Sequence, residues 1–457
     1  MTDPNRRPNI LLIMTDQHRF DFLGCAGAEF LRTPNLDRIA ARGVRFTQCF
    51  TNCPVCAPAR IGLAAGLQPS RMGSLGNDSF LPASVRTYYQ RLRDAGYHVG
   101  CVGKVDLAKP DGWNGRDGAR PVMFTYGFTR PVECEGKMHA GTSPEPRGPY
   151  GLWLAEQGLY ERFHRDYRAR AANGWVKDAS HDSVLPAEAY EECYIGRRAV
   201  EWLDSADETF PWHLFVSFVG PHDPFDPPTQ YADRYRSADV PPAVPFSAEG
   251  KPRYVVARNR GLEAEEVAVT RRQYAATIEC IDEQIGHLVE AVDRRGELDN
   301  TYILFTSDHG EMLGDLGLYT KSVPYEPSLH VPLLAAGPGI DGGRTSDALV
   351  ELIDVNPTIC ELAGLPPQEN IDARSLGSVL RGETKAHRED AVACMRHWRG
   401  IRTARYKLVQ NYNDAVELYD LEDDPGEQRN IAAERPEVAG ELHGRIRERF
   451  LEGAWQR

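Results

Sequence analysis

The sequence predicts an α/β fold: a large mixed, mostly parallel sheet sandwiched by helices, with a small C-terminal α+β subdomain. Three observations predict it. Short, continuous apolar runs recur along the chain; helical patterns alternate with them; and the tail changes to two strands followed by a helix, with no crossover. Alternating strands and helices build a layered α/β architecture.

The apolar runs are Asn9 to Met14, Tyr97 to Val102, His213 to Val219, Thr301 to Thr306 and the shorter Val331 to Ala335. Runs of this length without polar alternation suit strands buried on both faces, hence a parallel sheet covered by helices. Between them, Tyr274, Ile278, Ile281, Ile285, Leu288 and Val292 recur at spacings of three and four, one stripe of an α-helix. Gly296 is its expected stop. A second helix is expected from Pro34, with Thr33 as N-cap. Two stretches rich in Gly, Pro and Arg, 107–150 and 221–262, are expected to be long loops on the substrate side. In the tail, 400–409 and 415–421 read as strands, Asp424-Pro-Gly-Glu427 as a turn, and Val438, Leu442, Ile446 and Phe450 as a final helix. The expected division is a catalytic domain over 1–385 and a subdomain over 386–457.

Composition narrows the function. The 457 residues are 41% apolar and 26% charged, enough for a sizeable core without disulfide or metal staples. The formal charge of −13 argues against non-specific nucleic-acid binding, which runs on phosphate neutralisation. No apolar run approaches the roughly 18 residues of a membrane span. The segment Met1 to Asn9 lacks the apolar core of a signal peptide. The ten cysteines are dispersed over a long chain, unlike a disulfide framework. The expectation is a cytoplasmic protein with reduced thiols, no nucleic-acid or membrane partner, and self-association left open.

Ligands bind outside the carboxyl ends of strands in open α/β sheets. The residues there are Thr15-Asp16-Gln17-His18, Gly103-Lys104-Val105-Asp106, Gly220-Pro221-His222-Asp223 and Ser307-Asp308-His309-Gly310-Glu311. All four strands deliver charged or metal-competent groups to one rim. Asp16, Gln17, Asp308 and His309 are hard or borderline ligands suited to Ca²⁺, Mg²⁺ or Mn²⁺. Each aspartate alone could equally cap a strand-to-helix turn.

The segment from Cys53 to Gly66 places Pro58 where a helix would begin. Cys56 would then lie at the helix N-terminus, where free N–H groups and the dipole favour an anion. Arg60, one turn in, could aim its planar fork at the same anion.

Cys56-x-Pro58-x-Arg60 resembles the signature of the sulfatase family, in the alkaline phosphatase superfamily. The resemblance extends over nearly the whole chain: Asn9 to Gln17, Thr33 to Asp37, Gly103-Lys104, Pro221-His222-x-Pro224, Thr306 to Gly314 with Lys321, and Glu417 to Leu421 with Asp424 to Glu427. It implies an alkaline phosphatase-like fold and oxidation of Cys56 to formylglycine by a formylglycine-generating enzyme. It implies that Asp16, Gln17, Asp308 and His309, with residue 56, hold one divalent metal, Ca²⁺ or Mn²⁺. Arg60 would hold the aldehyde hydrate. Lys104, His222 and Lys321 would contact the oxygens of a small anionic ester, His222 or Lys321 protonating the leaving group. Asn77 falls where related phosphonate monoester hydrolases bind substrate. The hydrated aldehyde offers one hydroxyl as nucleophile and a second whose proton loss expels the sulfate, so water need not attack sulfur.

Two departures matter. Ala59 stands where Ser is common, and Asp106 where many sulfatases carry a His. The pairing of Gln17 with His309 resembles phosphonate monoester hydrolases and choline-sulfatase-like enzymes. The leading reading is a sulfate monoesterase; phosphonate monoesters or phosphodiesters are the second reading, and a scaffold with an unmodified Cys56 thiol is the third.

Other motifs read as structural. Cys49, Cys53 and Cys56 lack a nearby fourth soft ligand for zinc. Gly337-x-Gly339-x-x-Gly342 matches a dinucleotide fingerprint but is not followed by an opening helix, and reads as a turn. His18, His98, His213, His287 and His443 read as surface or core histidines, whereas His139 and His181 lie in loop-rich stretches within reach of a pocket.

Overall fold

The computed structural model describes residues 7–174 and 181–451. Its centre is an eight-stranded sheet. In chain order the strands are β1 (Asn9–Asp16), β2 (Gly43–Phe46), β3 (His98–Gly103), β4 (Arg130–Glu133), β5 (Trp212–Pro221), β6 (Thr301–Ser307), β7 (Leu333–Ala336) and β8 (Arg344–Ser346). Their spatial order is β4-β3-β5-β1-β6-β7-β2-β8. Strands β4 to β6 are parallel throughout; β7 runs against both of its neighbours, which makes the sheet mixed.

The side-chain period of two explains why β1 is apolar at every position from Ile10 to Met14. Ile10, Leu12 and Met14 pack on one face with Tyr88, Tyr89 and Ile359. Leu11 and Ile13 pack on the other with Trp202, Ile285 and Leu288. The helices that position the site are α1 (Pro34–Ala41), α2 (Cys56–Ala65), α3 (Glu191–Asp204) and α4 (Ala264–Arg294). The stripe expected from Tyr274 to Val292 is buried along α4, and Gly296 follows with φ 67°.

Two expectations change. Thr33 precedes α1 but makes no capping bond; its Oγ1 accepts from Gly24 N (2.9 Å) and donates to Asp37 Oδ1 (3.1 Å). The stretches 107–150 and 221–262 are not continuous loops. The first contains β4 and the short helices Pro121–Thr125, Lys137–Thr142 and Pro149–Glu156; the second contains Thr229–Tyr235 and Arg253–Arg258.

The tail forms a separate antiparallel sheet, β9 (Ala391–Met395), β10 (Trp398–Arg402), β11 (Tyr406–Asn411) and β12 (Glu417–Asp420). Helix α5 (Pro436–Leu451) covers it, packing Leu442, Ile446 and Phe450 on Val392, Ile401 and Leu408. Lys251 ties the 221–262 stretch to this sheet: its Nζ donates to Tyr419 Oη (2.8 Å) and to the Glu427 carbonyl (2.6 Å). Among the described residues, no helix is long and apolar enough to cross a membrane.

Candidate active site

Strands β1, β3, β5 and β6 end at one rim, and the N-terminus of α2 points at it. Gly103 closes β3 with φ 102°; a Cβ there would lie 2.0 Å from the Ser217 carbonyl, so the turn that presents Lys104 requires glycine. At the end of β5, the Glu192 carboxylate on α3 accepts from Val219 N (3.1 Å) and Gly220 N (2.7 Å), fixing the backbone just before His222.

At the centre, one potential ligand atom from each of Asp16, Cys56, Asp308 and His309 lies within 4.8 Å of all the others, and all four residues are buried. Cys56 Sγ is 3.3 Å from His309 Nε2 and 3.6 Å from Asp16 Oδ1. His309 Nε2 is 3.7 Å from a carboxylate oxygen of both Asp16 and Asp308. Its Nδ1 faces the Gly310 carbonyl at 3.0 Å; donation there leaves Nε2 free as a ligand atom. Two carboxylates, an imidazole and a group at residue 56, converging in a buried site, fit a divalent cation.

The fifth expected ligand, Gln17, sits at the edge of this group in the left-handed region, φ 73°. Its Nε2 donates to Glu311 Oε2 (2.5 Å) and Asp223 Oδ1 (3.2 Å), which orients Oε1 as the acceptor for Lys321 Nζ. Tyr274 Oη, from α4, donates to the Gln17 carbonyl at 2.6 Å. Asp106 (58°), Thr320 (68°) and Ser322 (73°) share the left-handed conformation. Strained residues of this kind persist where the surroundings over-determine them, commonly at functional sites.

The cations are arranged around the cluster. Lys104 Nζ reaches Asp16 Oδ2 at 2.5 Å. Lys321 Nζ lies 2.7 Å from His222 Nε2, and His222 Nδ1 lies 2.7 Å from the Asp223 carbonyl. The ammonium donates to Nε2, so Nδ1 carries the ring hydrogen. Arg60 is held by the protein: Nε donates to Asp308 Oδ2 (2.8 Å), and the two terminal nitrogens to Asp16 Oδ2 (3.2 Å), the Lys104 carbonyl (2.6 Å) and Ser217 Oγ (2.7 Å). Asn77 Oδ1 accepts from Ala57 N at 3.1 Å, which places it over the first turn of α2.

Electrostatics single out Cys56 from the neighbouring cysteines. Burial and Asp16 push its thiol up, yet Lys104, Lys109 and Lys321 together hold it well below its ordinary value. Burial raises Cys49 and Cys53 well above theirs. Cys53 packs its sulfur 3.4 Å from Met395 Sδ, so the three cysteines are not one site. Burial opposes the charged forms of both aspartates. Lys104 and Arg60 nevertheless keep Asp16 well below the usual carboxylate range, whereas Asp308 is raised, with Asp16 adding to the burial.

His18 and His213 are buried, as expected of core histidines. Burial lowers His18 to about 4, and its Nε2 serves the Phe22 carbonyl at 2.8 Å. His213 is a core histidine lowered to about 3. His181 and His139 are exposed, and neither makes a hydrogen bond to the site among the described residues. Sequence reasoning assigned no role to Ser217, Asp223, Glu311 or Lys109. Ser217 carried a faint signal, as a hydroxyl inside an apolar strand.

Comparison with known proteins agrees with this geometry. The sulfatase family pattern matches residues 8–365, and that of the N-sulphoglucosamine sulphohydrolase C-terminal region matches residues 314–452. The chain is 32% identical to the choline-sulfatase of Rhizobium meliloti (strain 1021) over 93% of its own length and 82% of the relative's. It is 29% identical to an arylsulfatase of Clostridium perfringens (strain 13 / Type A), covering 93% and 90%. The crystal structure of a phosphonate monoester hydrolase of Agrobacterium radiobacter superposes with a TM-score of 0.84 at 27% identity, covering 98% of this chain and 96% of that one. A match that spans every strand end of the rim, together with α2, makes the chain a member of the sulfatase family.

Proposed function

We propose that the chain hydrolyses sulfate monoesters, with residue 56 as the nucleophile once Cys56 has been oxidised to formylglycine. The observation that carries this reading is the position of Cys56. Its sulfur lies 3.3 Å from His309 and 3.6 Å from Asp16, on a helix N-terminus, with the thiol held down by three lysines. The modification would be made by a formylglycine-generating enzyme. It supplies a hydrated aldehyde whose two hydroxyls provide a nucleophile and a route for releasing the sulfuryl group.

Asp16, Gln17, Asp308 and His309, with residue 56, would hold one divalent cation, Ca²⁺ or Mn²⁺. When bound, it supplies Lewis acidity, lowering the pKa of a coordinated hydroxyl and offsetting charge on the ester oxygens. The protein's own groups do the rest. Lys104 and Lys321 place positive charge against the non-bridging oxygens, where charge accumulates in the transition state. The contact between Lys321 Nζ and His222 Nε2 keeps a proton at the rim for the departing alkoxide. Arg60 holds Asp16 and Asp308 in place, and Asn77 steadies the first turn of α2. The substrate is a small anionic ester.

A second reading keeps these residues and changes the substrate to phosphonate monoesters or phosphodiesters. The TM-score of 0.84 to a phosphonate monoester hydrolase and the Gln17–His309 pairing favour it. Both substrate groups are tetrahedral and singly charged.

The test is a paired kcat/KM for an aryl sulfate and an aryl phosphonate monoester with the same leaving group, with Mn²⁺ and with Ca²⁺. Preference for the sulfate, lost in Cys56→Ala, is the expected result. Preference for the phosphonate selects the second reading. No turnover of either by protein whose formylglycine has been verified by peptide mass overturns both. An unmodified thiol in protein from the native host would support a scaffold role.

A further inference from the structure

The turn after β3 holds a charge arrangement that the proposed reaction does not yet use. Asp106 is in the left-handed region, φ 58°, just past Lys104. Asp106 Oδ2 accepts from Lys109 Nζ at 2.5 Å and faces Lys104 Nζ at 3.5 Å. The two ammonium groups share one oxygen and so lie within about 6 Å of each other. That spacing lets two ammonium groups contact different oxygens of one tetrahedral anion. The Lys109 side chain is 15% exposed against 7% for Lys104, so it is the more open of the two. Lys104 is held by Asp16 as well as by Asp106, whereas Lys109 is paired with Asp106 and is tied to the site through it. The charge of Lys109 is felt at residue 56 alongside those of Lys104 and Lys321.

We propose that Lys109 contacts the tetrahedral oxyanion of the substrate, and that Asp106 is the positioning residue that holds its ammonium group beside Lys104. This rests on the reading of the site as one for a sulfuryl or phosphonyl ester. Lys109 would add a point charge on the anion beside that of Lys104. Asp106 fixes Lys109 through the shorter of its two lysine contacts: it replaces the long reach of a free lysine with one geometry, which lowers the entropy lost on binding.

The test uses the full chain, metal-loaded, with oxidation at residue 56 verified by peptide mass, and thermal melts to show that each variant is folded. Two quantities are measured: the Kd for inorganic sulfate by calorimetry, and kcat and KM for an aryl sulfate. Lys109→Met is expected to weaken sulfate binding about tenfold and to raise KM more than it lowers kcat. Lys109→Arg should retain most of the affinity. Asp106→Asn should weaken binding about threefold, and the double variant should be no worse than Lys109→Met, because the two act as a unit. Lys109→Gln takes the place of Lys109→Met if the latter does not fold. Unchanged sulfate affinity in a folded Lys109 variant overturns the proposal whatever happens to turnover, as does a wild type that binds no sulfate. A wild type that binds sulfate through Lys109 but turns over neither ester would overturn the hydrolase reading and leave Lys109 in its place.

Discussion

Asp308 Oδ2 accepts a 2.8 Å bond from Arg60 Nε, and both side chains are closed off from solvent. The same guanidinium reaches Asp16, so one buried cation spans the two carboxylates that flank Cys56. Removing one partner of a buried pair leaves charge uncompensated and costs about 3–5 kcal/mol. Arg60→Met is therefore expected to lower unfolding free energy by about that amount in urea titrations at pH 7. Arg60→Lys should rescue little, since one ammonium cannot span Asp308, Asp16, the Lys104 carbonyl and Ser217. A folded Arg60→Met within about 1 kcal/mol of wild type would show that the bridge does not hold the site together.

The cysteines offer a contrast. Cys56→Ser should abolish turnover, because a plain hydroxyl lacks the second hydroxyl of the hydrate. Cys53→Ala removes the sulfur that packs against Met395; it should cost about 1–2 kcal/mol of stability and leave kcat nearly unchanged. Michaelis parameters and thermal melts of both variants check this, and a Cys56→Ser enzyme with wild-type turnover would remove residue 56 from the mechanism.

Metal dependence has a readout apart from activity. A ligand that binds only the folded state raises Tm with concentration. Titrating chelator-stripped protein with Mn²⁺ or Ca²⁺ should raise Tm, and Asp308→Asn should remove the shift. A flat Tm with either ion would speak against a metal at the cluster.

Buried carboxyls set a pH dependence. Burial raises Glu135 and Glu192 to about 7. In the unfolded chain such groups lose their proton near 4.3. Between these values the folded state holds more protons, so stability falls as pH rises from about 4.5 to 7, by up to about 1.4 kcal/mol per pH unit for each group. Glu192→Gln should flatten this slope. It should also disturb the backbone bonds to Val219 and Gly220, and so the approach to His222. Urea midpoints at pH 5.5 and 7.5 for wild type and variant measure both effects, and an unaltered slope in Glu192→Gln would exclude this carboxyl as the source.

Much of the fold was legible because long apolar runs have few structural meanings. The central strands and the α4 stripe could be read directly. The edge was not. Strands β2 and β8 are four and three residues long, and Arg45 and Thr345 give them no apolar run; β7 turns back and offers β2 a partner, and β2 in turn offers one to β8. The site shows the same division. Strand-end clusters announced Asp16, Lys104, His222 and Asp308, and the rule that ligands gather at carboxyl ends brought them together. The direction of Arg60 was hidden, because Asp308 claims its guanidinium from 248 positions away in the chain. His18 sits two residues from Asp16 yet turns into the core toward Phe22. Lys109 gave no signal, because its meaning depends on the turn that folds it back onto Asp106.

The burial of α2 has a consequence in time. Every residue from Cys56 to Ala65 is enclosed. An enzyme the size of a protein would need the chain itself, extended and accessible, on both sides of residue 56. Once the sheet closes over this helix, that access ends. On the proposed reading, oxidation of residue 56 would have to precede closure of the fold, and each molecule would keep its state for as long as it stays folded. A preparation of this protein would be a mixture of two fixed populations, its specific activity set by the race between folding and modification, not by anything added afterwards.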